Sequence, residues 1–220
     1  MKSEHLLTIA SDQILLLAQK ALYWPRQKTL MVADTHFGKA AAYRALGQPV
    51  PQGTTSSNLQ RLDSLLETYP TERLIFLGDF LHALKSHAPA TLAAIRSWRG
   101  RHADLHCILI RGNHDKNAGD PPLDWNFEVV NEPYLTGNFS LQHVPTLHAT
   151  HHVIAGHTHP TFRLHGKGKQ SLVLPCFYHE PALTLLPSFG DFTGGFQLEE
   201  QVNSRLFVTD GSCIWPINPS

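Results

Sequence analysis

The chain alternates short apolar runs with polar segments, and the spacing of the apolar residues separates predicted strands from predicted helices. In the first half, the runs Ile14–Ala18, Thr29–Ala33, Leu74–Leu77 and Cys107–Ile110 are four or five residues long, as is typical of buried strands. Two segments in the same half have a helical period instead. We therefore expect strands and helices to alternate over this half of the chain.

The two helical segments show apolar residues at spacings of three and four. The first predicted helix covers Asn58–Thr68, with candidate capping residues at 54–57, and the second covers Pro89–Arg99, with Pro89 suited to its first turn. One face of each predicted helix is apolar: Leu59, Leu62, Leu65 and Leu66 in the first, and Leu92, Ile95 and Trp98 in the second.

The second half of the chain reads mostly as strands and turns. Gly166-Lys167-Gly168-Lys169 predicts a hairpin turn. We therefore expect an α/β fold in one domain over residues 1–220, with a parallel-leaning sheet formed first, an antiparallel-leaning sheet added later, and helices outside. The predicted strands of this half are Phe139–Leu141, Val153–Ala155, Leu172–Leu174, Ala182–Leu186, Phe196–Leu198 and Leu206–Val208.

Composition narrows the class of protein. The 18 Lys and Arg balance the 18 Asp and Glu, so no overall charge recruits nucleic acid, and binding to a polyanion must come from local groups. The three cysteines form no C-x-x-C pair, which is typical of reduced thiols.

The N-terminus lacks a signal-peptide pattern and no apolar run is long enough to span a bilayer. We expect a cytoplasmic enzyme without a membrane partner, and the sequence does not indicate its oligomeric state.

Five polar clusters follow the apolar runs, at the points where predicted strands end. Open α/β sheets collect their ligands at such junctions, and in an extended chain side chains two apart face the same way. Carboxylates, imidazoles and one amide are what two adjacent divalent cations need, and Mn, Fe or Zn suit this set better than Ca. A two-metal site predicts attack of a metal-activated water on phosphorus. The clusters are Asp34-Thr35-His36, Gly78-Asp79, Gly112-Asn113-His114-Asp115, His143 and Gly156-His157-Thr158-His159.

The ordered motifs D-x-H, G-D, G-N-H-D, a lone His and G-H-x-H over residues 34–159 resemble the calcineurin-like metallophosphoesterase superfamily. The resemblance implies an αββα sandwich of two mixed sheets flanked by helices. It implies His114 as the catalytic histidine that is not a ligand and that protonates the leaving oxygen or stabilises the developing charge. It further implies one metal held by Asp34, His36, Asp79 and His159, and a second held by Asp79, Asn113, His143 and His157, with Asp79 bridging.

Three positions stay open at this level. His148, His151 and His152 lie near His143 in the sequence and compete with it as a ligand. Many members of the superfamily have an acidic residue three places after the bridging aspartate, where it orients the catalytic histidine, whereas this chain has His82. Asp115 is expected to be structural, as a turn or cap residue.

A closer resemblance extends over nearly the whole chain. The sequence His36-Phe37-Gly38-Lys39 followed by Arg44, Gly47 and Pro49, then Pro175-Cys176-Phe177 and the segment 186–195, resembles the bacterial ligase-associated DNA damage response phosphoesterases. That family implies a manganese-dependent phosphodiesterase or nuclease, with Fe, Zn or a mixed pair as alternative metals. It also implies nucleic-acid ends or nucleotides as substrates, and association with a DNA ligase and helicase repair system.

Two alternatives to this function remain. The same site fits a phosphomonoesterase or a hydrolase of nucleotides or 2′,3′-cyclic phosphates. A non-catalytic repair scaffold is the other, although its expected sign, loss of ligands, is not seen. Lys39, Arg44 and His82 are candidate substrate-binding residues. Segment 189–195 reads equally as a Gly-rich turn packed by aromatics or as a functional loop, and Arg96, Arg99 and Arg101 are expected on a solvated helix face.

Overall fold

The computed structural model describes residues 2–50, 53–83, 87–168, 170–199 and 201–217, and over these ranges the chain forms two mixed β-sheets. The first sheet has the strand order β1-β2-β3-β4-β5-β6-β7. Strands β1 to β4 are antiparallel, whereas β4 to β7 are parallel. The parallel half therefore follows the expectation, and an antiparallel meander precedes it. The strands are β1 Glu4–Ile9, β2 Asp12–Leu17, β3 Ala21–Trp24, β4 Thr29–Ala33, β5 Arg73–Leu77, β6 His106–Ile110 and β7 Phe127–Val130.

The second sheet is mostly antiparallel, as expected, with the order β14-β11-β12-β13-β10-β9-β8 and with β15 joining β12 to β16. The parallel pairs in this sheet are β11 with β14, β10 with β13 and β10 with β9, and the last of these matters for the site. The predicted turn joins β11 to β12, where the Gly166 N–H donates to the Gln170 carbonyl at 2.9 Å; Lys169 lies outside the described residues. The strands are β8 Tyr134–Thr136, β9 Phe139–Gln142, β10 His152–Ala155, β11 Pro160–His165, β12 Ser171–Glu180, β13 Leu183–Leu185, β14 Phe196–Gln197, β15 Arg205–Thr209 and β16 Ile214–Ile217.

The helices are α1 Lys39–Ala45, α2 Thr54–Thr68, α3 Pro89–Arg101 and the single turn α4 Asp115–Ala118. Helix α3 begins at Pro89, as predicted. Helix α2 begins at Thr54, so the residues expected to cap it lie within its first turn, and Gly53 at φ +86° takes the cap position. None of the helices in the described ranges is long and apolar enough to cross a membrane.

Strands β4, β5 and β6 are buried on both faces, which explains their uninterrupted apolar runs. Alternate residues point to opposite sides of the sheet. Val32 and Phe76 pack with Leu62 of α2 and Trp98 of α3, in a cluster between the sheet and the helices. The other alternate set, which includes Ile75, packs against the second sheet. The chain is thus an α/β sandwich of two mixed sheets flanked by helices, and this confirms the predicted fold class.

Arg99 corrects the expectation of a solvated helix face. Its side chain is buried, and its guanidinium donates to the carbonyls of Trp125 and Leu105 at 2.9 Å each and also contacts the carbonyl of His102. A guanidinium has five donors in a fixed fork, so it can satisfy several carbonyls at once. Arg99 therefore ties the end of α3 to two following loops, a role that helical spacing alone does not reveal.

Candidate metal centre

The five polar clusters meet at one edge of the sandwich. Strands β4, β5 and β6 run parallel, so the residues after Ala33, Leu77 and Ile110 emerge together. Parallel strands β9 and β10 of the facing sheet bring the residues after Gln142 and Ala155 to the same place. The structure therefore brings together all eight side chains singled out from the sequence: Asp34, His36, Asp79, Asn113, His114, His143, His157 and His159.

The backbone at this edge is not the extended chain that we expected. Five of the candidate ligands have a left-handed backbone, a conformation that costs about 1–2 kcal/mol for a residue with a Cβ. The pairs two positions apart, Asp34 with His36 and His157 with His159, therefore extend from left-handed residues and not from a regular strand. Asp and His are among the residues that adopt this region more often than most. The φ angles are +55° at Asp34, +43° at His36, +52° at Asp79, +66° at His157 and +49° at His159.

One group of ligand-type atoms surrounds Asp34. Its Oδ1 lies 3.3 Å from Nε2 of His159, and the ligand atoms of Asp34, His36 and His159 all lie within 4.8 Å of one another. Asp79 adds its Oδ2, which is 3.7 Å from Nε2 of His36. Among the atoms described, Oδ1 of Asp34 is buried without a hydrogen-bond partner. A buried carboxylate oxygen without a donor is what a cation would satisfy.

A second group surrounds Nε2 of His143. This atom lies 2.9 Å from Oδ1 of Asn113, 3.0 Å from Nδ1 of His157 and 3.5 Å from Oδ1 of Asp79. The two oxygens of Asp79 therefore face different groups, Oδ2 towards His36 and Oδ1 towards His143. This arrangement allows one carboxylate to serve two adjacent cations.

Backbone groups orient these side chains. Nδ1 of His143 lies 3.0 Å from the Leu77 carbonyl, and Nδ1 of His159 lies 3.0 Å from the Gly194 carbonyl. Because a carbonyl only accepts, we assign the proton of each ring to Nδ1, which leaves a lone pair on Nε2 facing the carboxylates. The N–H of His157 donates to Oδ2 of Asp34 at 2.9 Å. The ligand set is thus preorganised by the main chain.

Burial shapes the charges of the site. It lowers the pKa of His36 to about 2, with Lys39 the next cause, so this imidazole is neutral. Burial raises the pKa of Asp79, and the nearby His143 opposes that effect. Burial lowers the pKa of His159, but the facing Asp34 carboxylate and the Gly194 carbonyl outweigh it, and the pKa is raised. Desolvated carboxylates among imidazole lone pairs fit divalent cations with mixed nitrogen and oxygen preference.

His114 stands at the open side of the site, with 39% of its side chain exposed and Nε2 3.9 Å from Oδ2 of Asp79. Its backbone N–H donates to Oδ1 of Asp79 at 2.9 Å. Its Nδ1 lies 3.0 Å from the His82 carbonyl, and the two rings are stacked with centroids 5.2 Å apart. A main-chain carbonyl of His82 therefore orients His114 where many family members have an acidic side chain. Residue type alone gave no signal of this backbone contact.

Asp115 connects the loops that follow strands β5 and β6. Its carboxylate accepts the backbone N–H groups of Asp79 at 2.8 Å, Phe80 at 2.9 Å and Gly112 at 2.8 Å, and the side chain is buried. It thus joins the loop after β5 to the loop after β6. This arrangement agrees with the structural role expected for Asp115.

Gly78 leaves room for the ligands. Its φ is +74°, and a Cβ at this position would overlap the imidazole of His143. Both the conformation and the close approach therefore require glycine. Gly78 therefore allows the chain after β5 to pass close to His143, in the second group of ligand atoms.

The histidines that compete with His143 in the sequence lie elsewhere. His148 and His151 pack against each other with ring centroids 4.8 Å apart, and His152 bonds the Pro181 carbonyl at 3.1 Å and the Thr184 hydroxyl at 2.8 Å. His143 alone of these four is placed beside Asp79. The choice of His143 from its position after the β9 run is therefore supported by geometry.

Two of the candidate substrate-binding residues, Lys39 and His82, lie beside the site, and Arg44 lies in a groove lined by other residues. Lys39 begins α1, and burial lowers the pKa of its amine although the Asp79 and Asp34 carboxylates raise it. His82 packs on His114. Arg44, at the other end of α1, lines a groove shared with the first turns of α2 and α3.

Comparisons with known proteins give the chain a family. A model of the calcineurin-like phosphoesterase family matches residues 27–181. The crystal structure of Pseudomonas putida nuclease MPE is 46% identical with a TM-score of 0.87, covering 97% of this chain and 100% of that one. A protein of unknown function from Aquifex aeolicus, AQ665, is 20% identical with a TM-score of 0.42, covering 64% of this chain and 82% of that one. No curated protein sequence matches.

The family match covers more than half of the chain and includes every candidate ligand. The family uses divalent metals, and the described residues supply clustered nitrogen and oxygen ligands for them. The site geometry and the family therefore agree on the reaction class. This chain belongs to the calcineurin-like phosphoesterase family and is a metal-dependent phosphoric ester hydrolase.

Proposed function

We propose that the chain is a phosphodiesterase that cleaves nucleic acid with two divalent cations. The observation that carries the proposal is the two-sided placement of Asp79, whose Oδ2 lies 3.7 Å from His36 and whose Oδ1 lies 3.5 Å from His143. A carboxylate with one oxygen towards each ligand group is the geometry that a bridge between two cations needs.

The ligand assignment follows the two groups. Asp79 belongs to both groups. We place His114 outside them, because its Nδ1 faces the His82 carbonyl and its side chain, 39% exposed, comes no nearer to Asp79 than the 3.9 Å between Nε2 and Oδ2. In this proposal one cation is held by Asp34, His36, His159 and Asp79, and the other by Asn113, His143, His157 and Asp79.

Divalent cations in such a site lower the pKa of a bound water and stabilise charge on a phosphoryl group. The side chains around them supply the remaining chemistry. His114 holds a proton on Nε2 and gives it to the departing oxygen, while the His82 carbonyl keeps the ring in place through Nδ1. The Lys39 amine adds positive charge near Asp34 and Asp79, where a phosphate would approach.

The nucleic-acid part of the proposal is supported by the Pseudomonas putida nuclease, which is 46% identical over 97% of this chain. We propose Mn as the first candidate metal, and Fe, Zn or a mixed pair as alternatives. The motif resemblance supports a cytoplasmic role in DNA repair, at nucleic-acid ends and alongside a ligase and helicase. One shared core between the two sheets supports a single domain over 1–220.

The test is a comparison of substrates on metal-stripped protein. Mn²⁺, Fe²⁺, Zn²⁺ or Mg²⁺ is added back, and hydrolysis is measured on an oligonucleotide, bis-p-nitrophenyl phosphate, p-nitrophenyl phosphate and a 2′,3′-cyclic nucleotide. We expect diester hydrolysis to dominate with Mn²⁺, and elemental analysis to find two ions per chain. Predominant hydrolysis of the monoester, or a single bound ion at saturation, would contradict the proposal.

A further inference from the structure

A row of aromatic rings leads from the candidate acid to the protein surface. His82 lies stacked on His114 with centroids 5.2 Å apart, and Tyr43 also packs against His82, with centroids 5.9 Å apart. Phe192 then meets Tyr43 edge to face at 6.3 Å. The row therefore begins at the ligand groups and ends on an exposed phenylalanine.

Packing of a hydrophobic core does not explain Phe192. Its side chain is 46% exposed, and its φ is +67°, a conformation that is uncommon and strained for a bulky residue. Phe189, three residues earlier, is fully buried and is the aromatic that packs in the core. Within the same short segment, Phe189 therefore packs in the core, whereas Phe192 is exposed and contacts Tyr43.

The segment that carries Phe192 is anchored to the ligands on both sides. Before it, the N–H of Gly190 donates to the Asp34 carbonyl at 3.0 Å. After it, the Gly194 carbonyl accepts from Nδ1 of His159 at 3.0 Å. These contacts hold the backbone on both sides of Phe192 next to the ligand residues Asp34 and His159.

Tyr43 lies on α1, which begins at Lys39. The same helix therefore places a ring and an amine beside the ligand groups. The ring of Tyr43 faces His82 and Phe192, and the amine of Lys39 interacts with the Asp34 and Asp79 carboxylates. Helix α1 therefore carries both a positive charge that can bind a phosphate, on Lys39, and a ring that can stack on a base, on Tyr43.

We propose that Phe192 and Tyr43 form the stacking surface for the nucleobase next to the scissile phosphate. The inference rests on the proposed function and adds the residues that would position the substrate. Aromatic rings stack on any base because every base has a π-face, and such contacts add to affinity without sequence readout. Phe192 and Tyr43 thus position the substrate, whereas His114 and the metal ligands act on the phosphate.

The test uses a short oligonucleotide whose cleavage at each bond is resolved separately. A single abasic nucleotide is moved along it, so that one base at a time is missing beside each bond. We expect wild-type kcat/KM at a given bond to fall on the order of tenfold when one particular neighbouring base is absent, mainly through KM. Absence of bases farther away should have little effect.

Variants then connect that base to the ring. Phe192→Ala should lower kcat/KM on the intact oligonucleotide on the order of tenfold, and the abasic substitution should cause no further loss in this variant. Phe192→Trp should retain activity because it keeps a ring. Phe196→Ala is the matched control, since Phe196 is another exposed phenylalanine, at 62%, near the same segment.

The outcomes distinguish failure of the proposed stacking surface from failure of the proposed nuclease function. If the abasic and Phe192→Ala losses multiply, or if Phe196→Ala and Phe192→Ala have equal effects, the stacking surface is wrong. If wild-type protein cleaves the oligonucleotide at the same rate whichever base is missing, the stacking surface is wrong as well. If wild-type protein cleaves no oligonucleotide with any of the metals, the proposed nuclease function itself fails.

Discussion

Replacing Asp115 with alanine tests how the loops that carry the ligands are held. The Asp115 carboxylate accepts three backbone N–H groups, from Asp79, Phe80 and Gly112, at 2.8–2.9 Å. Its side chain is 1% exposed, so water does not replace the lost acceptor readily. Asp115→Ala therefore leaves three buried donors unpaired at the base of the site.

The size of the effect follows from these contacts. A buried donor left without a partner costs about 1–3 kcal/mol, so three of them together cost about 3–9 kcal/mol before any compensation. Burial raises the pKa of Asp115, which shows that part of this sum is offset by the cost of burying the carboxylate. We expect a net loss of about 3 kcal/mol in the free energy of unfolding. Asp115→Asn keeps one acceptor oxygen and should lose roughly half as much.

Urea unfolding of the metal-free protein measures this loss. An m-value equal to that of the wild type shows that the variant changes stability and not the surface exposed on unfolding. The matched control is Asp120→Ala, which removes a partly exposed carboxylate paired with Arg111 at 2.7 Å and should cost less than about 1 kcal/mol. Equal losses for Asp115→Ala and Asp120→Ala would refute the reasoning. So would unchanged metal affinity in Asp115→Ala, since Asp79 takes its backbone position from this contact.

Four further results are expected. Asp79→Asn should lower the content of both metal ions, and elemental analysis that shows loss of only one would contradict a bridge. His114→Gln should keep metal content while slowing turnover about 10²–10⁴-fold; equal metal loss in the two variants would make the assignment of His114 wrong. Gly78→Ala should destabilise by several kcal/mol on urea unfolding, whereas Gly47→Ala, at φ +78° but in open space, should cost only about 1 kcal/mol. Burial and a neighbouring imidazole lower the folded-state pKa of His179 from 6.5 to about 4, so the unfolded chain binds the proton first and stability falls as pH drops from 6.5 to 4. His179→Gln should reduce that fall by about 2 kcal/mol, discounted for partial exposure, and an unchanged pH dependence would show that His179 is not its cause.

The sequence predicted the strands that are buried on both faces better than the others. Thr29–Ala33 was predicted at its observed limits, because an uninterrupted apolar run admits few alternatives. Strand β1, Glu4–Ile9, was missed, since its mixed polar and apolar residues form no run and its partner strand decides its structure. Helix α1, Lys39–Ala45, was missed as well, because seven residues give too little periodicity.

The candidate site was predictable in its residue types and not in its backbone. Histidine and aspartate after strand ends indicated metal ligands, and parallel strands explained how they meet. The left-handed residues, the His82 carbonyl behind His114 and the Gly194 carbonyl behind His159 depend on loop conformation, which residue spacing does not specify. Phe192 was visible only as part of a Gly-rich segment, and its exposure needed the fold.

The left-handed backbone at five candidate ligands restricts how this centre could be re-engineered. Each such position must satisfy two demands at once: it needs a ligand atom, and it needs a residue that accepts positive φ. Asp, Asn and His meet both, whereas Glu, Cys and β-branched residues accept positive φ less readily. Exchanges that look reasonable from coordination chemistry alone, such as Asp34→Glu or His36→Cys, would therefore shift the loop before they change the preference for a metal. A change of metal selectivity is better sought at Asn113 and His143, which are not among the positive-φ residues.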